Sequence, residues 1–184
     1  KDFKMEHIEI ERKFTVDYNS SNQVFSKFIS SLCNDYKRHI ITQTYIKSNT
    51  QTVLRLRKIK TYANMFGESI TKYWLTIKFN IKETDHQQCY EIENEISKGM
   101  YKSLIANDDP DFIVSSFEKT RIEMPYNNHL FEIDLFLNTK LGELMIIEVE
   151  FKEGEEIIIP DKLKNLPGFR EVTNDPQYFN CNLV

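Results

Sequence analysis

Glycine is scarce in this chain of 184 residues: five are present, and none lies in a G-x-G-x-x-G or G-x-x-x-x-G-K-[ST] pattern. Proteins that bind dinucleotides or nucleotides use these patterns to hold phosphate at the N-terminus of a helix. Their absence excludes both of these phosphate-binding devices. Any phosphate group bound by this chain must therefore be held by side chains.

The chain also has few cysteines, no long apolar run and little net charge. There are three cysteines, Cys33, Cys89 and Cys181. Their odd number and the absence of a C-x-x-C spacing argue against a disulfide framework. No run of 18 apolar residues occurs, and the formal net charge is only -4. We therefore expect a cytoplasmic protein with reduced thiols that associates with neither membranes nor nucleic acid.

Alternating polar and apolar residues dominate what is present. Hydrophobic residues form 40% of the sequence and aromatic residues 12%, as is typical of a folded protein. No repeat and no linker rich in proline, glycine or serine divides the chain, so we predict one domain over residues 1–184. Alternating segments predict eight β-strands, at residues 6–16, 36–46, 52–60, 70–80, 88–96, 115–125, 129–136 and 143–151.

Three connections have the helical spacing of apolar residues instead. The first follows residues 20–22, which contain candidate N-caps, the second follows Ser97, and the third covers 160–166. Eight mostly antiparallel strands with short connections can close on themselves and so remove their exposed edges. The predicted fold is therefore mainly β (α+β): a closed eight-stranded antiparallel β-barrel, or tunnel, with a few peripheral helices.

The charges within the predicted strands are sorted by sign. In a strand, residues i and i+2 share a face, and like charges on one face repel each other. A single segment of this kind is typical of a solvated sheet face, but this chain has seven. We infer that the charged faces point inward across a shared space, which leaves apolar outer faces that the helices, and possible homodimer contacts, would cover. The inward candidates are the carboxylates Glu9, Glu11, Glu91, Glu93, Glu132, Asp134, Glu148 and Glu150 and the cations Lys13, Arg55, Arg57, Lys78, Lys119 and Arg121.

These fourteen side chains indicate a polyanion site with metal ions. Carboxylates are the oxygen ligands that Mg²⁺ and Mn²⁺ prefer, whereas arginine and lysine match phosphate oxygens. The fourteen groups together carry a charge of -2, which two divalent cations would change to +2. Such an interior suits a strongly anionic triphosphate, and without ligands it would be costly to bury.

The charged segments resemble a known family. Glu9-Ile10-Glu11-Arg12-Lys13 is similar to the E-x-E-x-K opening of the CYTH domain, also called the triphosphate tunnel metalloenzymes. Matching strands follow in the same order along the chain, and the ending Glu171-Val172-Thr173-Asn174-Asp175-Pro176 resembles that of short bacterial inorganic triphosphatases. The further matching segments are Leu54-Arg55-Leu56-Arg57, Leu75-Thr76-Ile77-Lys78, Glu91-Ile92-Glu93, Glu118-Lys119-Thr120-Arg121, Phe131-Glu132-Ile133-Asp134 and Ile147-Glu148-Val149-Glu150.

The resemblance implies a function and a role for each charged group. The six cations would bind the phosphate oxygens of a triphosphate-containing small molecule, and the eight carboxylates would surround Mg²⁺ or Mn²⁺. Glu9, Glu11 and Lys13 would be catalytic, because the first-strand glutamates help to hold the metal ion that activates the attacking water. The implied reaction is metal-dependent hydrolysis of a triphosphate, in first place inorganic triphosphate.

Other readings of the same pattern stay open. Thiamine or nucleoside triphosphatases and class IV adenylate cyclases of this family share the phosphate-binding residues. Class IV cyclases carry His-Phe ahead of E-x-E-x-K, and the matching positions here are Asp2 and Phe3, which disfavours cyclase activity. A noncatalytic binder of polyphosphate or a nucleotide would need fewer carboxylates. Trp74 shares a predicted strand face with Lys78 and would either stack on an organic substituent or pack within the protein.

Overall fold

The chain folds mainly as antiparallel β-structure. A computed structural model describes residues 7–46, 52–62, 68–80, 87–107, 109 and 111–183, without the side chains of residues 7–9, 79–80, 87–89 and 181. The strands are β1 (His7–Thr15), β2 (Lys37–Ile46), β3 (Thr52–Tyr62), β4 (Ser69–Asn80), β5 (Gln87–Ile96), β6 (Ile113–Tyr126), β7 (His129–Thr139), β8 (Gly142–Glu150) and β9 (Arg170–Glu171). The α-helices of this described part are α1 (Gln23–Asp35), α2 (Lys98–Ile105) and the single turn α3 (Asp161–Lys164), and two short 3-10 helices follow at Pro176–Tyr178 and Asn180–Asn182. The predicted class, mainly β with peripheral helices, is confirmed.

The strand pairings close the sheet into a ring. The order along the sheet is β5-β4-β3-β2-β6-β7-β8-β1, and β1 also pairs with β5. Residues His7 to Glu11 of β1 pair with β5, whereas Glu11 to Thr15 pair with β8. The short strand β9, which the sequence pattern did not predict, pairs with the end of β1. Eight strands therefore surround an interior space.

A tight turn sets the register of β6 against β7. Asn127 and Asn128 have φ values of 45° and 63°, and they form a two-residue loop because Tyr126 pairs with His129. Hairpins of this kind need positive φ at both loop residues, a conformation that asparagine tolerates better than most residues. The resulting register fixes which charged residues of the two strands stand opposite each other.

Helix N-caps appear where the sequence places polar residues. The Asn22 side chain accepts a hydrogen bond of 2.9 Å from the Val24 amide, and the Ser97 hydroxyl accepts one of 3.1 Å from the Met100 amide. These caps satisfy backbone donors that a helix leaves unpaired at its start. The third helix is shorter than predicted: it ends at Lys164, because Leu166 is followed by a proline and a glycine.

The helices cover the outer face of the sheet. Phe25 and Leu32 of α1 and Leu163 beside them pack with the outward side chains of β1, β6, β7 and β8, including Ile133 and Val149. On the other side, α2 packs against β3, β4 and β5 through a cluster that contains Tyr101 and Leu56. Ile133, Val149 and Leu56 are fully buried, so the outward apolar side chains at these positions are covered, as the sequence predicted. None of the described helices has the length and apolar character to cross a membrane.

One end of the interior is apolar. Phe136 shares the inward face of β7 with Asp134, and Ile146 shares the inward face of β8 with Glu148, as strand alternation requires. Tyr178 and Leu183 of the C-terminal segment pack with these side chains. This end cluster consists of Phe117, Phe136, Leu144, Ile146, Tyr178 and Leu183.

Helix α1 should contribute to stability only through its inward face. Replacing the buried Leu32 with alanine is expected to lower the free energy of unfolding by about 2–5 kcal/mol, since it leaves a cavity in a packed core. Val24 on the same helix is 54% exposed, so Val24→Ala should change the value by less than about 0.5 kcal/mol. Urea titration of both variants tests this; equal losses would contradict the described packing.

Candidate functional site

The oppositely charged rows meet in one interior cavity. The cavity has a volume of about 240 Å³, and eleven of the fourteen charged residues named from the sequence line it. Lys119 and Asp134 are fully buried beside it, whereas the side chain of Glu9 lies outside the described part of the structure. The eleven lining residues are Glu11, Lys13, Arg55, Arg57, Lys78, Glu91, Glu93, Arg121, Glu132, Glu148 and Glu150.

Arg121 is the most heavily engaged cation of the site. Its Nε donates to Asp134 Oδ1 at 2.7 Å, and its Nη2 lies 2.6 Å from Asp134 Oδ2 and 2.9 Å from Glu148 Oε2. It also donates to the carboxylate of Glu132. Lys119 adds a contact of 2.6 Å between its Nζ and Asp134 Oδ2. The paired arrangement follows from the β6–β7 register, in which Arg121 stands opposite Asp134.

The first strand supplies Glu11 and Lys13 to the same space. Lys13 Nζ lies 2.9 Å from Glu148 Oε1 and 3.6 Å from Glu11 Oε1, and its side chain is almost fully buried. The ring of Phe179 lies beside this ammonium, with the Lys13 Nζ 5.8 Å from the ring centroid. Two carboxylates therefore share one buried ammonium, and a C-terminal aromatic ring contacts it as well.

Strands β3, β4 and β5 form the opposite wall. Arg55 Nη2 lies 3.5 Å from Glu91 Oε1, and Lys78 Nζ lies 2.8 Å from Glu91 Oε2. Arg57 donates to Glu93, which also accepts a hydrogen bond of 2.7 Å from the Thr76 hydroxyl. Basic side chains of β3 and β4 thus form ion pairs with the glutamates of β5.

These contacts shift the pKa values in opposite directions. Burial disfavours the charged forms of Asp134 and Glu148, but neighbouring cations outweigh it and lower the pKa of both carboxyls. Burial raises the pKa of Glu132, because Arg121 only partly compensates for it. Burial and the charge of Arg121 lower the pKa of Lys119 to about 8. The interior therefore favours the charged form of some groups and disfavours that of others, and a perturbed cluster in a cavity is typical of a functional site.

The carboxylates of the site are oriented toward cations. Among the described side chains no group of three carboxylate, histidine or cysteine side chains is arranged to hold a metal ion. The chemistry of the donor set still fits Mg²⁺ or Mn²⁺, since six glutamates line the cavity and oxygen is the ligand atom these ions prefer. Binding a metal ion would require some carboxylates to turn away from their present partners.

Residues without charge complete the cavity. Tyr45, Val53, Phe179 and Asn180 line it, and the charge pattern of the sequence gave no signal for them. Asn180 carries a buried Oδ1 without a hydrogen-bond partner. Trp74 is not among the described residues that line the cavity; the Lys72 ammonium lies 5.8 Å from its ring centroid.

A second cavity of about 510 Å³ adjoins the first near the β6–β7 turn. Glu11, Glu132, Glu148 and Glu150 line both cavities. The residues that line only the second are Asn128, His129, Leu130, Phe151, Lys152 and Glu155. The charged space therefore widens on this side, away from the end cluster.

Comparison with known proteins finds likeness in fold. No protein-family model and no curated protein sequence matches this chain. A structure of a Pyrococcus horikoshii protein is 22% identical, with a TM-score of 0.53 over 79% of this chain and 80% of that chain. A Bacillus halodurans protein with the provisional name adenylate cyclase is 20% identical, with a TM-score of 0.52 over 80% and 82% of the two chains.

The same fold also occurs in a protein with a different name. A chain of the Schizosaccharomyces pombe Mediator head module has a TM-score of 0.51 at 9% identity, over 83% of this chain and 86% of that chain. At such low identities the likeness concerns the fold alone. Function must therefore be argued from the residues of the cavity.

Two carboxylates on β7 should affect stability in opposite directions. Asp134→Asn removes a partner of the buried Lys119 and Arg121, so we expect a loss of about 3 kcal/mol or more at neutral pH. Glu132→Gln should stabilise the protein, because the folded state raises the pKa of this carboxyl and so disfavours its charged form. Urea titration without added ligand measures both values, and a change of the same sign would contradict this charge assignment.

Proposed function

We propose that the protein belongs to the CYTH, or triphosphate tunnel metalloenzyme, family and hydrolyses a triphosphate in this cavity with Mg²⁺ or Mn²⁺. Inorganic triphosphate is the favoured substrate. The observation that carries the proposal is that basic and acidic rows from different strands line one space, with five of the six candidate cations on its surface. Buried ion pairs add little to stability even when they are compensated, so an interior of this kind is better explained by ligand binding.

Phosphate binding would proceed by exchange of partners. Arg55, Arg57 and Lys78 now contact carboxylates of β5, and phosphate oxygens are equally good acceptors for these cations. A triphosphate that takes these cations frees carboxylates, and the freed carboxylates gain a divalent cation. Anion and metal would therefore favour each other's binding, because the anion frees the carboxylates that the metal binds and the metal frees the cations that the anion binds.

The chain's own groups divide into two roles. The basic side chains would hold the phosphates and stabilise the negative charge that develops during phosphoryl transfer. Glu11, together with Glu9, would hold the metal ion and orient a water beside the triphosphate, with Lys13 between Glu11 and Glu148. A bound Mg²⁺ or Mn²⁺ supplies charge neutralisation and lowers the pKa of a coordinated water.

An adenylate cyclase or an organic triphosphatase is the second candidate. The adjoining cavity of about 510 Å³ offers room for an organic substituent next to the phosphate-binding residues. The Bacillus halodurans structure of the same fold bears the provisional name of a cyclase. A noncatalytic polyphosphate binder is disfavoured, because six glutamates line the cavity in addition to its cations.

The purified protein is expected to release phosphate from inorganic triphosphate only when Mg²⁺ or Mn²⁺ is present. The metal requirement follows from the carboxylate oxygens that line the cavity and from the excess of carboxylates over cations among the site residues. A phosphate-release assay with and without chelator measures it, with ATP as a parallel substrate. Full turnover in excess chelator would overturn the metal dependence, and cyclic AMP with pyrophosphate from ATP would establish the second candidate.

Glu11 should matter for turnover more than for substrate binding. Glu11→Gln keeps the size of the side chain but removes its charge, so kcat is expected to fall about a hundredfold or more. Triphosphate affinity should fall much less, because the cations remain. We expect the same of Glu9→Gln.

Glu118→Gln is the matched control for these variants, since Glu118 is exposed on β6 next to the buried Lys119. Turnover at saturating triphosphate and metal is measured beside a binding titration. Parent-like kcat in both the Glu9 and the Glu11 variant would contradict the assigned roles.

A further inference from the structure

The backbone of Lys13 lies where β1 passes from one neighbouring strand to another. The pairing of β1 with β5 ends at Glu11, and its pairing with β9 begins at Phe14. On the other side of β1, Lys13 stands opposite Glu148 of β8. The backbone groups of Lys13 therefore fall between β5 and β9, at a seam of the ring.

The residues that follow β9 close this seam. The Val172 amide donates a hydrogen bond of 2.8 Å to the Lys13 carbonyl oxygen, and the Lys13 amide donates one of 3.1 Å to the Thr173 hydroxyl oxygen. Thr173 is buried. Its side chain thus supplies the acceptor that a neighbouring strand would supply from its backbone.

A carboxylate fixes the direction of this hydroxyl. Thr173 Oγ1 donates to Glu171 Oε1 at 2.6 Å, whereas the Lys13 carbonyl oxygen is 3.5 Å away and already accepts from Val172. Because a hydroxyl has one proton, the Thr173 oxygen is left with lone pairs for the Lys13 amide. Arg12 in turn holds the carboxylate, since its Nε donates to Glu171 Oε1 at 3.0 Å.

The side chain of the same lysine is central to the cavity. Its ammonium lies between the carboxylates of Glu11 and Glu148, beside the ring of Phe179. The C-terminal segment therefore contacts Lys13 both at its backbone and at its charged end. Because the lysine is buried in close packing, a shift of its backbone would move the ammonium against these partners.

We propose that Thr173 is a positioning residue for Lys13, and that its hydroxyl holds β1 so that the Lys13 ammonium meets the phosphoryl group that is transferred. The proposal deepens the proposed function and rests on it. Thr173 is not among the described residues that line the cavity, so it would act through Lys13. Stabilisation of a transition state needs charges that are in place before the reaction, and a misplacement of about 1 Å can cost a hundredfold in rate.

The hydroxyl is tested with Thr173→Val, which keeps the shape of the side chain. We expect kcat for inorganic triphosphate with Mg²⁺ to fall about tenfold or more. The Kd, measured calorimetrically, should change much less, because the arginines of the cavity remain. Thr173→Ser keeps the hydroxyl and should turn over triphosphate like the parent.

Thr15→Val is the matched control. Thr15 lies on β1 as well, is fully buried, and donates a hydrogen bond of 2.9 Å from its hydroxyl to the Met145 carbonyl oxygen. Its replacement removes a buried hydroxyl from the same strand without touching the Lys13 amide, so kcat should stay near that of the parent. Equal losses of kcat in the two valine variants, or a serine variant as slow as Thr173→Val, would overturn the positioning role.

Hydrogen exchange of the Lys13 amide, followed by NMR without ligand, tests the contact independently of activity. Exchange should be faster in Thr173→Val and unchanged in Thr173→Ser, because the hydroxyl is the acceptor for this amide. Glu171→Ala should also speed exchange and lower kcat, by less than Thr173→Val. Since Glu171 is exposed, this variant decides the question if Thr173→Val does not fold, and parent-like exchange and kcat would then overturn the proposal.

The outcomes separate this proposal from the proposed function. Parent-like kcat in folded Thr173→Val, with a parent protein that hydrolyses triphosphate, would overturn the role of Thr173 and leave the function standing. A parent protein that neither binds nor hydrolyses triphosphate would overturn both.

Discussion

The structure depends on charge compensation inside a ring of strands. Rows of like charge would repel one another in a closed interior, yet here each described cation of the cavity contacts a carboxylate from another strand. Arg121 illustrates this best, since it bonds to three carboxylates on β7 and β8. The compensation allows the charges to be buried. In the proposed function, a polyanion and metal ions would replace these side chains as each other's partners.

The rest of the fold serves to hold these rows in register. The Asn127-Asn128 turn sets β6 against β7, and so sets Arg121 against Asp134. Outside the ring, α1 and α2 bury the apolar faces that inward-pointing charges leave behind. At one end of the interior, apolar residues and the C-terminal segment adjoin the charged space. The cores under α1 and α2 lie on the outer face of the strands, so the proposed exchange of partners in the cavity would leave them in place.

Much of this architecture could be predicted because strands have a period of two. That period identified the eight strands and placed residues such as Arg55 and Arg57 on one face. The pairing of these arginines with Glu91 and Glu93 was not predictable, since it depends on strand order and register. Tyr45, which lines the cavity, was missed for another reason: its inward position follows from the same alternation, but a neutral residue stands outside the charge pattern. The third helix was predicted too long, because the spacing of apolar residues fits a single turn as well as a longer helix.

The central claim is that the interior charges form a binding site for a triphosphate and divalent metal ions. The most direct test is diffraction from crystals grown with inorganic triphosphate and Mn²⁺, using the anomalous signal of manganese to locate the metal. The account predicts a triphosphate in contact with Arg55, Arg57 and Arg121, and a manganese peak within ligand distance of cavity carboxylates. A cavity that retains its internal ion pairs at saturating ligand, with triphosphate and manganese absent or bound elsewhere, would contradict it.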